Sequence, residues 1–320
     1  LDKSFTEWST AMLQKLPGRP GGEEVLNALT GRDASVKLDE VQAQGLAKAY
    51  TAALQAARQG GYSDCTPGRF LLPGELEGSP VLTFCPLPPS DDPRGSLARE
   101  FARRFEAYKA QVAKPFFREH FARIDRQVVL VDALSAIHAG PKAVEELRMT
   151  LQEALAAFKP GRNGWLSPLL GKRVEKILFA ATKADHLHHS QHGRFTAIIE
   201  ALVKDAKGRA DFAGAETGAM AIASLRATVE ETRPHKGRAL DCVRGTLLSS
   251  GKEAALFAGE LPEDPAKLLN PGREGAESWL DADYNVMDFA PAKLSLKPGE
   301  GPPHIRLDRA AEFLIGDRLT

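Results

Sequence analysis

The run Lys176-Ile-Leu-Phe-Ala-Ala181 constrains this chain more than any other stretch. It is strand-length, apolar without alternation, and ends abruptly in Thr182-Lys183-Ala184-Asp185, after which a polar, His-rich segment begins. A half-buried strand alternates apolar and polar side chains. A strand covered on both faces has no solvent side and reads as a continuous apolar run, the signature of a buried parallel strand. In open α/β sheets, binding residues collect just beyond the carboxyl ends of such strands.

The residues at that end suit a particular chemistry. Thr182-Lys183-x-Asp185 resembles the guanine-reading motif of GTPases. A fixed Asp185 carboxylate can accept hydrogen bonds from both the N1–H and the exocyclic amine of guanine. Adenine has no matching pair and would leave a buried carboxylate unsatisfied, which costs more than a weak contact gains. The Lys183 stem can lie over the base, and the Thr182 hydroxyl can tie the loop together. So loose a pattern occurs by chance in roughly one chain in ten, so its weight comes from the strand before it and from its neighbours.

Those neighbours continue the pattern. Val128-Val-Leu-Val131 is a second continuous apolar run, with Asp132 at its carboxyl end, placed either to orient a ligand or to cap a turn with Ser135. A loop containing Gly140-Pro141, a helix over about 142–158, the Thr-Lys-x-Asp strand, a helix over about 193–206 and a third apolar segment at Gly218–Ser224 follow. Strand, helix, strand, helix, strand is the alternation of a parallel sheet with right-handed crossovers. Ser224-Leu225-Arg226 ends the third strand about where GTPases place a second base-contacting loop, whose backbone N–H reaches the guanine O6.

Outside this core the reading is coarser. Phe5, Trp8, Met12 and Leu16 recur at helical spacing, and a second helix is predicted from about Asp39 to Arg58. Residues 59–96 are dense in Gly, Pro and Ser, with one strand predicted at Val81–Phe84. A long amphipathic helix, bent or interrupted at Pro115, spans Ser96 to about Ile124. Residues 227–304 form a small β-rich insertion with strand-like pieces at Leu240–Gly245, Ala255–Gly259 and Asn285–Phe289. A closing helix at 305–320, with Leu307, Ala310, Ala311 and Leu314 as its apolar face, is expected to return to the sheet. The domain plan is therefore a mainly helical part at 1–125, an α/β core at 126–226, the β-rich insertion, and the C-terminal helix.

Composition excludes several classes. The net charge is zero, so no basic excess points to nucleic acid or an anionic membrane. No apolar stretch approaches the ~18–20 residues that span a bilayer. Three isolated cysteines, Cys65, Cys85 and Cys242, give neither a disulfide framework nor a Cys-based metal site, and a cytoplasmic setting is the default. His186, His188, His189 and His192 invite a metal reading, with His188 and His192 four apart. Lacking a nearby Cys or carboxylate pattern, they are read as a solvated helix start, and no metal ligand is assigned. The phosphate-wrapping Gly-x-x-x-x-Gly-Lys-[Ser/Thr] loop is absent. Gly171-Lys172-Arg173 and Gly251-Lys252-Glu253 lack its hydroxyl and its first glycine, and Asp92-Pro-Arg-Gly95 follows no strand. No catalytic residue is assigned.

Longer runs carry a family resemblance. Phe70–Pro80, Phe116–Asp132, Leu134–Pro141 and Leu178–His186 together resemble the YcjX-like family over most of the chain. The resemblance implies a bacterial, stress-associated P-loop NTPase: a GTPase-like parallel sheet with a large helical insertion. Family members are sometimes labelled ATPases, but Thr-Lys-x-Asp favours guanine. It implies GTP or GDP as ligand, GTP hydrolysis in the intact family, and a protein partner of unknown identity. Thr182, Lys183 and Asp185 are expected to read the base, with Ser224, Leu225 and Arg226 as a weaker second loop. The family's phosphate loop falls before Leu1, so Mg²⁺ is expected only with that segment, and this chain resembles the C-terminal two-thirds of such a protein. The phosphate-loop strand would pair beside Val128–Val131, so its absence is expected to leave an open apolar edge. The alternative is a non-catalytic helical scaffold on a degenerate NTPase fold.

Overall fold

The structure, a computed structural model, describes residues 3–120, 123–156, 173–269, 287–291, 294 and 296–319. The chain divides after Arg123 into two compact units.

The first unit is helical. Helices α1 (Phe5–Lys15), α2 (Gly22–Leu29), α3 (Glu40–Gln59) and α4 (Leu97–Tyr108) enclose one aromatic core. Ser4 and Glu7 form a reciprocal capping box at the start of α1, and Asp39 and Ser96 cap α3 and α4, so three helix starts are written locally. At the centre Phe84 is fully buried, with Trp8, Phe70 and Phe105 rings 5.0–5.7 Å away. The strand predicted at Val81–Phe84 is not formed. Pro80–Leu82 is a 3₁₀ turn, with Ser79 capping it and Pro80 at its first position, and the chain then plunges Phe84 and Cys85 into the core. β propensity lost to turn chemistry and to the burial of one ring. The long helix is likewise interrupted. A π turn at Lys109–Ala113 separates α4 from α5 (Lys114–Glu119), just before Pro115, which has no N–H to continue the ladder.

The second unit holds two three-stranded sheets. Strands β1 (Arg126–Val131), β2 (Lys176–Ala181) and β3 (Glu216–Ala221) form a parallel sheet in that order. In register, Val128 stands beside Leu178, and Leu178 beside Gly218. β2 is the central strand and has its last five residues buried, as its unbroken apolar run requires. The stretch after Asp132, read from sequence as loop, is helix α6 (Ala133–Ala139), started by the Asp132 side chain accepting from the Ser135 N–H at 3.2 Å. Helix α7 (Pro141–Ala156) follows, and α8 (His192–Phe212) packs on β2 and β3. The expected helix at 142–158 thus begins a residue earlier, and its last two positions lie outside the described residues.

The second sheet is antiparallel: β4 (Thr228–His235), β5 (Arg238–Thr246) and β6 (Glu253–Leu256). β4 has no apolar run to announce it; Glu230, Glu231, Arg233 and Pro234 disguise a strand held mainly by its ladder with β5. Residues 285 and 286 of a further predicted strand lie outside the described residues, while Phe289 lies beside Leu247 in a single bridge. At Gly245 any Cβ would stand 2.6 Å from the Phe289 ring, so the close approach of that segment needs glycine there. After the short helix α9 (Ala266–Leu269), α10 (Leu307–Ile315) returns to the parallel sheet, where Ala310, Phe313 and Leu314 pack with Leu178, Ala180 and Ile222. Leu307 and Ala311, expected on its buried face, are exposed.

Among the described residues β1 has no second neighbour, and it carries Val128 and Leu130 exposed, the latter at 65%. An apolar, unpaired edge templates association. The chain is therefore expected to self-associate with rising concentration in sedimentation velocity. Leu130→Glu should shift that association to about tenfold higher concentration, a fraction of one buried leucine; an unchanged profile would remove the β1 edge as its cause.

Candidate functional site

Three segments meet at the carboxyl end of the parallel sheet: the turn after β1, the loop after β2, and the loop between β3 and β4. The β2 loop is tied at both Thr182 and Ala184. The Thr182 N–H donates to the Val131 carbonyl at 3.0 Å and its hydroxyl to the same oxygen at 3.3 Å, while the Ala184 N–H donates to Ile222 at 3.1 Å. Between them Lys183 sits in the left-handed region, φ +62°, an arrangement costing about 1 kcal/mol or more for a residue with a Cβ. The surrounding hydrogen bonds hold it there.

Asp185 is 4% exposed. One carboxylate oxygen, Oδ2, accepts the Ala227 N–H at 2.8 Å, and the Asp185 carbonyl accepts the Thr228 hydroxyl. The β3–β4 loop therefore orients the acid. In that loop, among the described residues, neither the Ser224 nor the Leu225 N–H donates a hydrogen bond. Their neighbours are satisfied: Ala223 and Arg226 donate to the carbonyls of Ile305 and Pro303. Two backbone donors and an oriented carboxylate thus border one space.

That space is a cavity of about 800 Å³. Thr182, Lys183, Asp185, His186, Ser224 and Leu225 line its polar end, and Val128, Leu130, Ile222 and residues of α10 its apolar wall. Five of the six residues expected from sequence to bind nucleotide are therefore brought together. Arg226 is not among the lining residues. Its guanidinium is engaged by the Thr228 carbonyl at 3.1 Å and the Glu230 carboxylate at 3.2 Å. Lys183 does not reach across the cavity either; its ammonium is 2.9 Å from Asp132 and 3.8 Å from Asp288. Of the two roles its position allowed, Asp132 takes the cap on Ser135, and it also pairs with Lys183.

Sequence reasoning missed three participants. His186, 7% exposed, packs edge-on against Phe289 at 5.2 Å, and its Nδ1 is buried without a hydrogen-bond partner among the described residues. Burial, reinforced by the Lys183 charge and opposed by that of Asp185, lowers its pKa. Phe289 comes from the strand-like piece expected at 285–289, which nothing in the sequence connected to this site. Ala227 acts only through its backbone, which no side-chain pattern reveals. The turn at His188–His192 also differs from the expected solvated helix start, because His192 is not solvated. It is buried, with Nε2 2.8 Å from the Ala184 carbonyl and Nδ1 facing the Arg306 guanidinium at 3.3 Å. Those contacts fit a neutral ring donating through Nε2 and accepting at Nδ1. Burial and the Arg306 charge lower its pKa below 6.5.

The two buried rings have a pH consequence. Both are neutral when folded and take up a proton when released, so the unfolded chain binds more protons below about pH 6.5. Stability from this source is complete above that value and falls as pH drops through it toward the lowered folded pKa values. Chemical denaturation at pH 7.5 and 5.5 should show a loss at the lower pH that is smaller in His192→Gln; parallel losses would contradict the assignment.

Comparison with known proteins places this geometry in context. A family model described as YcjX-like family, DUF463, matches residues 1–319. The chain is 33% identical over 331 aligned residues to the Ras-like GTPase YcjX of Escherichia coli (strain K12), the match covering 100% of this chain and 69% of that protein. It is 32% identical over 337 residues to the Ras-like GTPase YcjX of Shewanella oneidensis, covering 100% of this chain and 67% of that protein. The α/β architecture with its parallel sheet is consistent with a P-loop GTPase-like fold.

Proposed function

Because the chain belongs to the YcjX-like family, we propose that it binds a guanine nucleotide and that Asp185, at the carboxyl end of β2, reads the base. The observation that carries this reading is the orientation of Asp185: a buried carboxylate held by the Ala227 N–H, at the polar end of a cavity large enough for a nucleotide base and ribose. A carboxylate fixed in this way is an acceptor only, and guanine offers it two adjacent donors. The N–H groups of Ser224 and Leu225 supply donors of the kind a guanine O6 requires. Lys183 swings from Asp132 to cover the base, and Thr182 holds the loop. Arg226 serves the site indirectly, through its grip on the Thr228 carbonyl and Glu230.

The donor set fits the base, and the reading is confined to it. No residue of this sequence forms the glycine-rich loop that wraps phosphates and positions Mg²⁺, so GTP hydrolysis, and the switch it would drive, is proposed for the whole family protein. The relatives' printed name, Ras-like GTPase, supports that extension. Among the described residues no helix is long and apolar enough to cross a membrane.

Asp185→Asn tests the assignment by chemistry. An amide presents a donor where the carboxylate presented an acceptor, and xanthine carries a carbonyl where guanine carries its amine. Backbone amide shifts of residues 224–227 should respond to guanosine monophosphate and not to adenosine monophosphate in the parent chain. In Asp185→Asn the guanosine response should weaken by roughly a hundredfold, about 3 kcal/mol, while xanthosine monophosphate gains. Equal response to guanosine and adenosine monophosphates in the parent would sink the proposal.

A further inference from the structure

Beside the nucleotide cavity but outside its lining, the loop between β2 and α8 meets the antiparallel sheet. There His188 and His189 face Glu230 of β4, and a ligand atom from each lies within 4.8 Å of the other two. We infer that His188 Nε2, His189 Nδ1 and the Glu230 carboxylate form a binding site for one zinc-class divalent ion.

The distances suit such an ion. Zinc binds imidazole nitrogen and carboxylate oxygen at ~2.0–2.2 Å, so tetrahedral donors stand roughly 3.3 Å apart. Glu230 Oε2 is 2.7 Å from His189 Nδ1 and 3.8 Å from His188 Nε2, and side-chain adjustments of about half an ångström bring both to that separation. A hydrogen bond to Glu230 accounts for one ring. The second ring is held from behind, its Nδ1 against the Ser190 hydroxyl, and leaves Nε2 3.8 Å from the same oxygen. The two rings stand with centroids 4.3 Å apart, close enough for both to reach one ion.

The surroundings have the form that metal-bound histidines need. The other nitrogen of a ligating imidazole carries a proton that a hydroxyl, carbonyl or carboxylate takes up, which fixes the ring. His188 Nδ1 lies 2.9 Å from the Ser190 hydroxyl and 3.7 Å from Asp241 Oδ2, and Asp241 is itself held by the Thr232 hydroxyl at 3.0 Å. His188 Nδ1 also accepts a long 3.4 Å contact from the Ser190 backbone N–H, which metal binding through Nε2 would replace with donation from Nδ1. On the carboxylate, the His189 N–H and the Arg226 guanidinium occupy Oε1 at 3.1 and 3.2 Å and leave Oε2 facing the rings. The Arg226 charge opposes the metal; the carboxylates of Glu230 and Asp241 outweigh it. Three protein ligands leave a fourth position for water. The ion would pin the loop following Asp185 to the strand that begins at Thr228, both of which set the orientation of the base-reading acid.

Titration of the chain with Co²⁺, followed by its visible d–d absorption, tests this directly. One equivalent should give the intense band of a four-coordinate ion, displaced by Zn²⁺. His189→Ala and Glu230→Gln, both at accessible side chains, should abolish the band with the circular dichroism spectrum unchanged. Asp241→Asn should weaken affinity about tenfold, and His235→Ala, remote on the exposed end of β4, should leave it intact. No four-coordinate band, or binding that survives both His189→Ala and Glu230→Gln, would overturn the site and leave only adventitious surface histidines.

Discussion

A carboxylate buried to 4% exposure must be satisfied where it stands, and much of the second unit is arranged to satisfy Asp185. Its side chain accepts from Ala227 and its carbonyl from Thr228, so the loop leaving β3 and the first residue of β4 are both fastened to the loop leaving β2. His192 fastens the same loop from the helix behind it through the Ala184 carbonyl, and Arg306, at the start of α10, closes the ring by reaching both His192 and the Ala221 carbonyl. Leaving a buried group of this kind unpaired costs ~1–3 kcal/mol, more when it is charged. The loops are therefore coupled, and the acid is aimed before any ligand arrives. Preorganisation of that sort turns a modest hydrogen-bond energy into selectivity between bases.

The parallel sheet was legible because burial on two faces leaves an unambiguous trace. Ile177–Ala181 shows no alternation and proves buried throughout, and the position of Thr182–Asp185 at its end follows from strand direction alone. The residues proposed to read the base could be singled out for the same reason. Helix starts at Ser4, Asp39 and Ser96 were equally local, since a cap is a short-range hydrogen bond.

What was not legible depended on partners distant in sequence. β4 has a polar strand sequence that becomes a strand only by pairing with β5. Val81–Phe84 carries strand propensity, yet a capped proline turn and the aromatic core took it instead. The Ala227 N–H leaves no side-chain signature, and Arg226, expected as part of the weaker second loop, is drawn off by Glu230, four residues further along the chain. The histidines show the same limit. Spacing suggested His188 with His192, whereas the fold separates them and sets His188 beside His189 and Glu230. A metal-like pattern in sequence was incomplete because its carboxylate comes from another sheet.

The central claim is that an oriented carboxylate reads guanine, and a competition titration tests it most directly. Fluorescent GDP bound to the protein should be displaced by GTP and left in place by ATP, because only guanine carries the two donors that Asp185 accepts. Equal displacement by ATP, or no binding of any guanine nucleotide, would contradict the account and leave a GTPase-shaped scaffold in its place.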